Sequence, residues 1–190
     1  MALKRKGQEF RQHIVEVANR LFYQRGYNQT SFTDIAEAAE IPRGNFYYYF
    51  KTKDEILEAV VDYRLAGIRA MLVEWDAAIP EPRDRLKRYV QILLNEERDV
   101  LRYGCPMGSL NVELSKTQLQ LQSRAREMFD VFLDWLKAQF QALGYGRASR
   151  DHALHLVAVM QGASLLSNAF EDAAFMRKEV ARLNEWIDQL

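Results

Sequence analysis

The stretch IPRGNFYYYF, residues 41–50, places five consecutive aromatic residues behind a Pro, an Arg, a Gly and an Asn. A protein core rarely takes so many phenol groups, because each buried hydroxyl needs a hydrogen-bond partner. On a helix, Phe46 and Phe50 are four residues apart, so they share the face that packs inward, toward Ile35 and Leu21. The three tyrosines between them then occupy the outer circumference, where their hydroxyls can meet a polar partner.

The residues around this stretch predict a helix-turn-helix. A long helix ends at Arg25-Gly26, and residues 33–40 form a short helix with Thr33 as its N-cap. A break at Ile41-Pro42 precedes a second short helix over residues 43–50. In such a motif the second helix enters the DNA major groove, with its N-terminus closest to the bases and phosphates.

The polar residues of this second helix suit DNA. The guanidinium of Arg43 can bind guanine through two hydrogen bonds, and the amide of Asn45 can bind adenine in the same way. Gly44 lets the backbone come close, and the tyrosine hydroxyls can donate to phosphates. Lys53 begins the next helix, after a Thr52–Glu55 capping box, and is placed to bind a backbone phosphate.

The apolar spacing is helical along nearly all of the chain, so the sequence predicts an all-α fold of about nine helices. One long helix is expected to run to Ile79, where Pro80 and Pro82 end it, and another covers residues 83–102. Further helices are expected from a Ser115–Gln118 capping box to Gly144, from Ser149 onward, and over the last 15 residues.

Composition narrows the class of protein. Apolar residues make up 48% of the 190-residue chain and charged residues 27%, which are globular values. We expect no stretch to supply the roughly 20 apolar residues of a membrane span. The basic N-terminus lacks the apolar segment of a secretory signal, and the single cysteine excludes an internal disulfide, which together predict a cytoplasmic protein. Residues 1–53 carry nine Lys and Arg against five Asp and Glu, a basic excess that suits a polyanion.

Two stretches, TSFTDIAEAA (30–39) and IPRGNFYYYFKTKD (41–54), closely resemble the N-terminal signature of TetR-type transcriptional repressors. The rest of the chain matches that family in helix count and layout. The resemblance implies a DNA-binding domain over residues 1–52 and a ligand-binding, dimerising domain over residues 53–190. It also implies repression of a near-palindromic operator that a small molecule relieves.

By position, the resemblance suggests eight DNA contacts. They are Thr33, Arg43, Gly44, Asn45, Tyr47, Tyr48, Tyr49 and Lys53. Tyr48 stands where His is common in the family.

Members of the family are homodimers joined through their last two helices as a four-helix bundle. The apolar residues Met176, Val180, Leu183, Ile187 and Leu190 are spaced for helix pairing, and the small residues 162–164 would allow close approach. The alternative is that this stripe packs within one chain.

The segment GCPMGS (104–109) interrupts two helices in the middle of the second domain. Pro106 suits the first position of a helix, which makes Cys105 its expected N-cap and could lower the pKa of the thiol. The segment is similar to one in a TetR branch that includes electrophile- and oxidant-responsive repressors. Modification of Cys105 by an electrophile or oxidant is therefore one hypothesis for sensing. The alternative is that Cys105 is a small buried apolar residue.

A non-covalent pocket is the other hypothesis for sensing. The mixture of aromatic side chains and methionine favours a small apolar or aromatic inducer, although an aromatic residue at helical spacing more often belongs to the core. The candidate lining residues are Tyr63, Trp75, Tyr89, Tyr103, Met107, Asn111, Phe129, Phe132, Trp135 and His155.

No catalytic motif is evident, so the sequence predicts neither an enzyme nor a cofactor nor a metal site. His152 and His155 are three residues apart on one helix, but two ligands on one helix do not make a metal site without a second pair. The alternative to a transcriptional regulator is a helical ligand-binding or redox-sensing protein that keeps the helix-turn-helix as a scaffold. Such a scaffold would have no use for the polar residues between positions 43 and 49.

Overall fold

A computed structural model describes residues 2–116 and 118–190, with the backbone alone for residues 2–6 and for Arg43. Within these residues the chain forms eleven α-helices and one 3₁₀ turn, and no β-strand. The elements are α1 (Ala2–Arg25), α2 (Phe32–Ala38), α3 (Arg43–Tyr49), α4 (Lys53–Ala78), α5 (Pro82–Val90), α6 (Ile92–Asn95), α7 (Glu97–Tyr103), α8 (Pro106–Leu114), α9 (Leu119–Ala142), the 3₁₀ turn (Gly146–Ala148), α10 (Ser149–Phe170) and α11 (Ala173–Asp188).

The all-α prediction is confirmed. The predicted helix over residues 83–102 is three helices in the structure, separated only by Gln91 and Glu96. At Gln91 the chain tightens, because the N–H of Leu94 donates to the Gln91 carbonyl three residues back, at 3.1 Å. If α5, α6 and α7 are counted as one broken helix, the described residues contain the predicted nine.

The chain divides into two compact units. The first consists of the residues up to Ala66 together with Ser109–Glu127, and the second of Gly67–Gly108 together with Met128–Leu190. The first unit therefore takes α1 to α3, the first half of α4, and the end of α8 with the start of α9. The division of function between residues 1–52 and 53–190 stays a prediction.

Several predicted helix ends are confirmed. Helix α1 ends at Arg25, where Gly26 takes a φ of +86° that favours glycine, and α4 ends just before Ile79 and Pro80. Pro106 is the first residue of α8, and Ser149 is the first residue of α10. Gly26, Pro80 and Pro106 mark three of these ends, because glycine frees the backbone and proline restricts it whatever the tertiary context.

The caps predicted from hydroxyl residues are partly wrong. The N-cap of α2 is Ser31 and not Thr33, because Ser31 and Asp34 form a reciprocal capping box. The Thr52 hydroxyl does accept from the N–H of Glu55, at 3.1 Å, but the Glu55 carboxylate accepts from the N–H of Lys51. Helix α3 begins at Arg43, as predicted, and Pro42 is its N-cap.

The predicted cap at Ser115 is also wrong. The Ser115 hydroxyl donates to the Val112 carbonyl at 2.9 Å, so it closes the turn after α8. Helix α9 begins only at Leu119.

The second unit is built around a large apolar core of side chains from α4, α5 to α7, and α9 to α11. Met176, Val180, Leu183 and Ile187, the residues predicted to pair with a second chain, are all buried in this core. That prediction is wrong for these residues, because their apolar stripe is covered by helices of the same chain. Ala163 and Ser164 are buried as well.

Helix α10 instead carries large apolar side chains on an exposed face. Phe170 and Leu165 are 75% and 65% exposed in the single chain, and Leu154 and Leu166 are exposed as well. The exposed residues Leu154, Ala158, Leu165 and Ala169 fall at helical spacing, so they form one stripe along α10. Leu166 and Phe170 lie beside this stripe, and the surface that Leu154, Leu165, Leu166 and Phe170 form is called the outer face of α10 below.

Residues Gly146–Phe170 are long and apolar enough to cross a membrane, by length and composition alone. The prediction that no stretch is long and apolar enough to span a membrane is therefore wrong by length and composition. The core helix of a soluble protein passes the same test, and α10 places Ala153, Leu156 and Met160 in the core of the second unit. A single helix of this kind is weak evidence of a membrane span.

Candidate nucleic-acid interface and sensor segment

The turn between α2 and α3 is fixed by backbone hydrogen bonds. Helix α2 ends at Ala38, and Glu40, two residues later, takes a left-handed φ of +55°. The N–H of Ile41 then donates back to the Ala36 carbonyl at 3.2 Å. The Pro42 carbonyl then accepts from the N–H groups of Asn45 and Phe46, at 2.9 and 3.0 Å. Because Pro42 has no N–H of its own, it suits a position where a helix begins.

The inner face of α3 is aromatic and fully covered, as predicted. Phe46 is 0% exposed and meets the ring of Phe32 edge to face, with centroids 4.7 Å apart. Phe50 is buried too, and the Arg11 guanidinium lies 4.7 Å from its ring centroid. These contacts fix the rotation of α3 about its own axis.

The outer face of α3 is aromatic and open. Tyr48 is 79% exposed and Tyr47 is 52% exposed, and Gly44 and Asn45 are exposed at the N-terminal end. The ring of Tyr47 stacks on Phe32 at 4.9 Å, so it is held in place although half of it faces solvent. The side chain of Arg43 lies outside the described part of the structure.

Two predicted DNA contacts are less free than their neighbours. Tyr49 is half-buried, with its ring 6.3 Å from Phe10 and 5.3 Å from Tyr48. Thr33, on α2, is half-buried as well. The structure thus brings Gly44, Asn45, Tyr47 and Tyr48 together on one exposed surface.

Lys53 is tied to the first unit. Its ammonium donates to the Tyr27 carbonyl at 2.9 Å and lies 4.1 Å from the centroid of the Tyr27 ring. Partial burial lowers the pKa of Lys53, although the carboxylates of Asp54 and Glu113 act the other way. An ammonium has three donors, so one hydrogen bond leaves capacity for a phosphate.

Tyr27 and Glu113 were missed by the sequence reasoning. Tyr27 is fully buried, and its phenol donates to the Asp54 carboxylate. Burial raises the pKa of Tyr27, and the hydrogen bond to Asp54 raises it further. The Glu113 carboxylate accepts from the backbone N–H of Tyr27, 86 residues earlier in the chain. Sequence periodicity does not predict a contact between residues so far apart.

Cys105 caps α8, as predicted. Its sulfur accepts from the N–H of Gly108, the third residue of the helix, at 3.4 Å. The amide of Gln161, on α10, also donates to this sulfur at 3.4 Å, and the Cys105 side chain is half-buried. A Cβ at Gly108 would lie 2.4 Å from Gln161 Oε1, so the approach of Gln161 depends on glycine there.

The predicted pocket residues fall into different environments. Trp75, Tyr89 and Phe132 are buried in the core of the second unit, where the rings of Tyr89 and Phe132 lie 5.3 Å apart. Burial raises the pKa of Tyr89, and its electrostatic interaction with Cys105 raises the pKa further. The half-buried residues of the list are Tyr103, Met107, Phe129 and Trp135.

The remaining residues of the list lie elsewhere. Tyr63 and Asn111 belong to the first unit, where Tyr63 is exposed and the Asn111 amide donates to the Ala125 carbonyl at 3.2 Å. His155 is exposed and lies 5.3 Å from the ring of Trp186. The candidate pocket residues therefore do not form one site within the second unit.

A helix-turn-helix with a buried inner face and an open, polar outer face is the arrangement of a DNA-binding regulator. Residues 14–60 match the model of the bacterial regulatory proteins of the tetR family, and residues 82–182 match the C-terminal domain of LmrA/YxaF-like transcriptional regulators. The chain belongs to the TetR family, and it is a DNA-binding transcriptional regulator.

The relatives agree with this assignment. The chain is 30% identical over 185 residues to the HTH-type transcriptional repressor DhaR of Mycobacterium sp. (strain GP1), covering 94% of this chain and 87% of that protein. A TetR regulator from Chloroflexus aurantiacus matches with a TM-score of 0.83, 26% identity and 97% coverage of both chains. The reduced form of Escherichia coli NemR shares the fold, with a TM-score of 0.78, 21% identity, and coverage of 92% of this chain and 95% of that one.

Proposed function

We propose that this chain is a cytoplasmic, dimeric repressor that binds a near-palindromic operator and releases it when the second unit senses a chemical signal. The observation that supports this most strongly is the contrast between the two faces of α3. Phe46 and Phe50 are buried, whereas Tyr47 and Tyr48 are open to a partner. A helix of this kind is held rigidly and still offers hydroxyls to phosphates and base edges.

The proposed DNA surface consists of Thr33, Arg43 to Asn45, the three tyrosines and Lys53. Arg43 is the proposed base reader, so Arg43→Ala should reduce binding to a selected operator far more than binding to scrambled duplex. Arg43→Lys is the matched control, because it keeps the positive charge but loses the fork that binds guanine through two hydrogen bonds. Equal losses on both duplexes for Arg43→Ala would refute the base-reading role.

The proposed dimer forms through the outer face of α10, in place of the buried stripe on α11. Large exposed apolar side chains along one helix are what a helix-pairing interface presents. Leu165→Glu should therefore convert the dimer into a monomer in sedimentation velocity. Leu119→Glu is the matched control, because Leu119 is 72% exposed on α9 in the first unit. If the dimer persists in Leu165→Glu and dissociates in Leu119→Glu, the interface includes Leu119 and not the outer face of α10.

Two signals are proposed for release from DNA: covalent modification of Cys105 by an electrophile or oxidant, or a small apolar or aromatic ligand. The first is supported by the cap that the Cys105 sulfur provides to α8, since modification would remove an acceptor from the Gly108 N–H. The second is supported by the half-buried aromatic and Met side chains of the second unit, Tyr103, Met107, Phe129 and Trp135.

The test that separates the two signals uses the operator duplex in fluorescence anisotropy, before and after thiol alkylation. If Cys105 is the sensor, alkylation should abolish binding in the wild type and leave Cys105→Ser unchanged. If alkylation leaves wild-type binding intact, Cys105 is structural and the signal is a non-covalent ligand.

A further inference from the structure

The turn between α1 and α2 is held by a carboxylate from a distant part of the chain. Glu113, on α8, accepts from the N–H of Tyr27 through Oε2 at 2.9 Å and from the N–H of Asn28 through Oε1 at 2.6 Å. Both N–H groups lie just past the end of α1, where the backbone has no helical partner for them. Two charge-assisted hydrogen bonds from one carboxylate fix position and orientation together.

The backbone at this turn is shaped to receive the carboxylate. Gly26 has a φ of +86°, and a Cβ there would lie 3.2 Å from each oxygen of Glu113. Tyr27 is also held at its other polar groups, since its carbonyl accepts from Lys53 and its phenol donates to Asp54. Residues of α8 and of the start of α4 therefore both form hydrogen bonds to this turn, and all of them belong to the first unit.

We propose that Glu113 is a positioning residue for DNA binding, acting through the α1–α2 turn. The turn leads into α2. Helix α2 determines the position of α3, because Phe32 packs against both Phe46 and Tyr47. A turn that is free to move would let α2 and α3 shift together, and the cost of ordering them would then reduce operator affinity.

The helix that carries Glu113 is also the helix that Cys105 caps. Helix α8 is nine residues long, begins at Pro106 and ends at Leu114. The inference rests on the DNA-binding role of the chain and stands whether or not Cys105 is a sensor.

The test compares Glu113→Gln with Glu127→Gln in the full-length chain. Each variant removes one negative charge from the first unit, and Glu127 is bound by Arg124 and not by the turn. The probes are an operator duplex selected by the wild type from a random pool and a scrambled duplex of equal length. Glu113→Asp is a third variant, which keeps the charge but is too short to reach both N–H groups.

Glu113→Gln should bind the operator about tenfold more weakly than Glu127→Gln, with equal binding to the scrambled duplex, because one acceptor is replaced by a donor. This direction opposes the effect of charge, since loss of a carboxylate by itself favours binding to phosphates. Glu113→Asp should be weakened as well. Amide hydrogen exchange at Tyr27 and Asn28 should speed up in both Glu113 variants and not in Glu127→Gln.

Equal operator affinity for Glu113→Gln and Glu127→Gln would overturn the proposal. So would wild-type affinity in Glu113→Asp, which would make charge and not position the cause. If operator affinity falls without faster exchange at the two amides, Glu113 does not act through the turn. If the loss of affinity is matched by a general fall in thermal stability, Glu113 is an ordinary structural contact. A wild type that selects no duplex at all would overturn both this proposal and the proposed repressor function.

Discussion

Aromatic side chains on the outer face of α3 and in the core of the second unit serve opposite purposes. On α3 of the first unit, Tyr48 is 79% exposed, and its ring contacts only its neighbour Tyr49 among the described rings. In the second unit, Tyr89 is 3% exposed and packs against Phe132 within the core. Residue type alone does not distinguish these uses. The difference lies in whether the neighbouring helices cover the ring, and the uncovered face of α3 is the surface proposed above for DNA.

The largest expected effect is at the covered aromatics. Phe132→Ala should lower the free energy of unfolding by about 3–5 kcal/mol, because it removes a buried ring and leaves a cavity. Urea denaturation followed by circular dichroism would measure it. A loss below about 1 kcal/mol, the range of well-tolerated core changes, would mean that the second unit can collapse around the gap and that its aromatics are not core in the sense argued above.

At the open aromatics the effect should fall on binding and not on stability. Tyr48→Ala should lower operator affinity about tenfold, which corresponds to about 1.4 kcal/mol. Its unfolding free energy should stay within about 0.5 kcal/mol of the wild type, as for other surface changes. Anisotropy titrations and urea denaturation of the same samples would measure both.

Tyr48→Phe is the control that separates ring from hydroxyl. If the hydroxyl donates to DNA, the Phe variant should lose affinity as the Ala variant does. A Tyr48→Ala variant that is destabilised but binds the operator normally would show that the Tyr48 ring contributes to stability and not to DNA binding.

The smallest effect should appear only at alkaline pH. Burial raises the pKa of Tyr89 above the value of about 10 that it has when unfolded. The neutral phenol therefore contributes stability that is fully present below pH 10 and is lost as the pH rises toward the folded pKa. Tyr89→Phe removes this titration, so its melting temperature should fall less between pH 8 and pH 11.

A difference of about 2–4 °C in that fall would correspond to about 1 kcal/mol for a chain of this size. Melting curves at pH 7 provide the reference, because both forms of the protein carry a neutral ring there. Parallel curves for wild type and variant up to pH 11 would show that Tyr89 is more hydrated than its burial implies.

Much of the fold was predictable because it depends on local signals. Gly26, Pro80 and Pro106 mark helix ends through their own backbone geometry, and Phe46 and Phe50 share a face because they are four residues apart. The cap of α2 was predicted wrongly at Thr33, although Ser31 with Asp34 three residues later was present in the sequence. Two hydroxyl residues two positions apart compete for the same role, and the carboxylate partner decides between them.

Other features could not be predicted because the sequence carries no signal for them. The stripe from Met176 to Ile187 has the same spacing whether it packs in its own chain or against a second one. The hydrogen bond from the Tyr27 N–H to Glu113 depends on two distant segments meeting in space, and a single glutamate on a helix does not predict it. The exposed face of α3 was predictable in outline, because Gly44, Asn45, Tyr47 and Tyr48 lie close together in the sequence.

The dimer interface proposed on the outer face of α10 would determine how much regulator a cell must make. A dimer that covers Leu165 and Phe170 gains stability from association, so the fraction of folded chain rises with protein concentration. Operator occupancy would then fall faster than the chain count when the protein becomes scarce, because dilution removes dimers before it removes chains. Repression by such a protein would have a threshold in gene dosage, set by the apolar side chains of one helix.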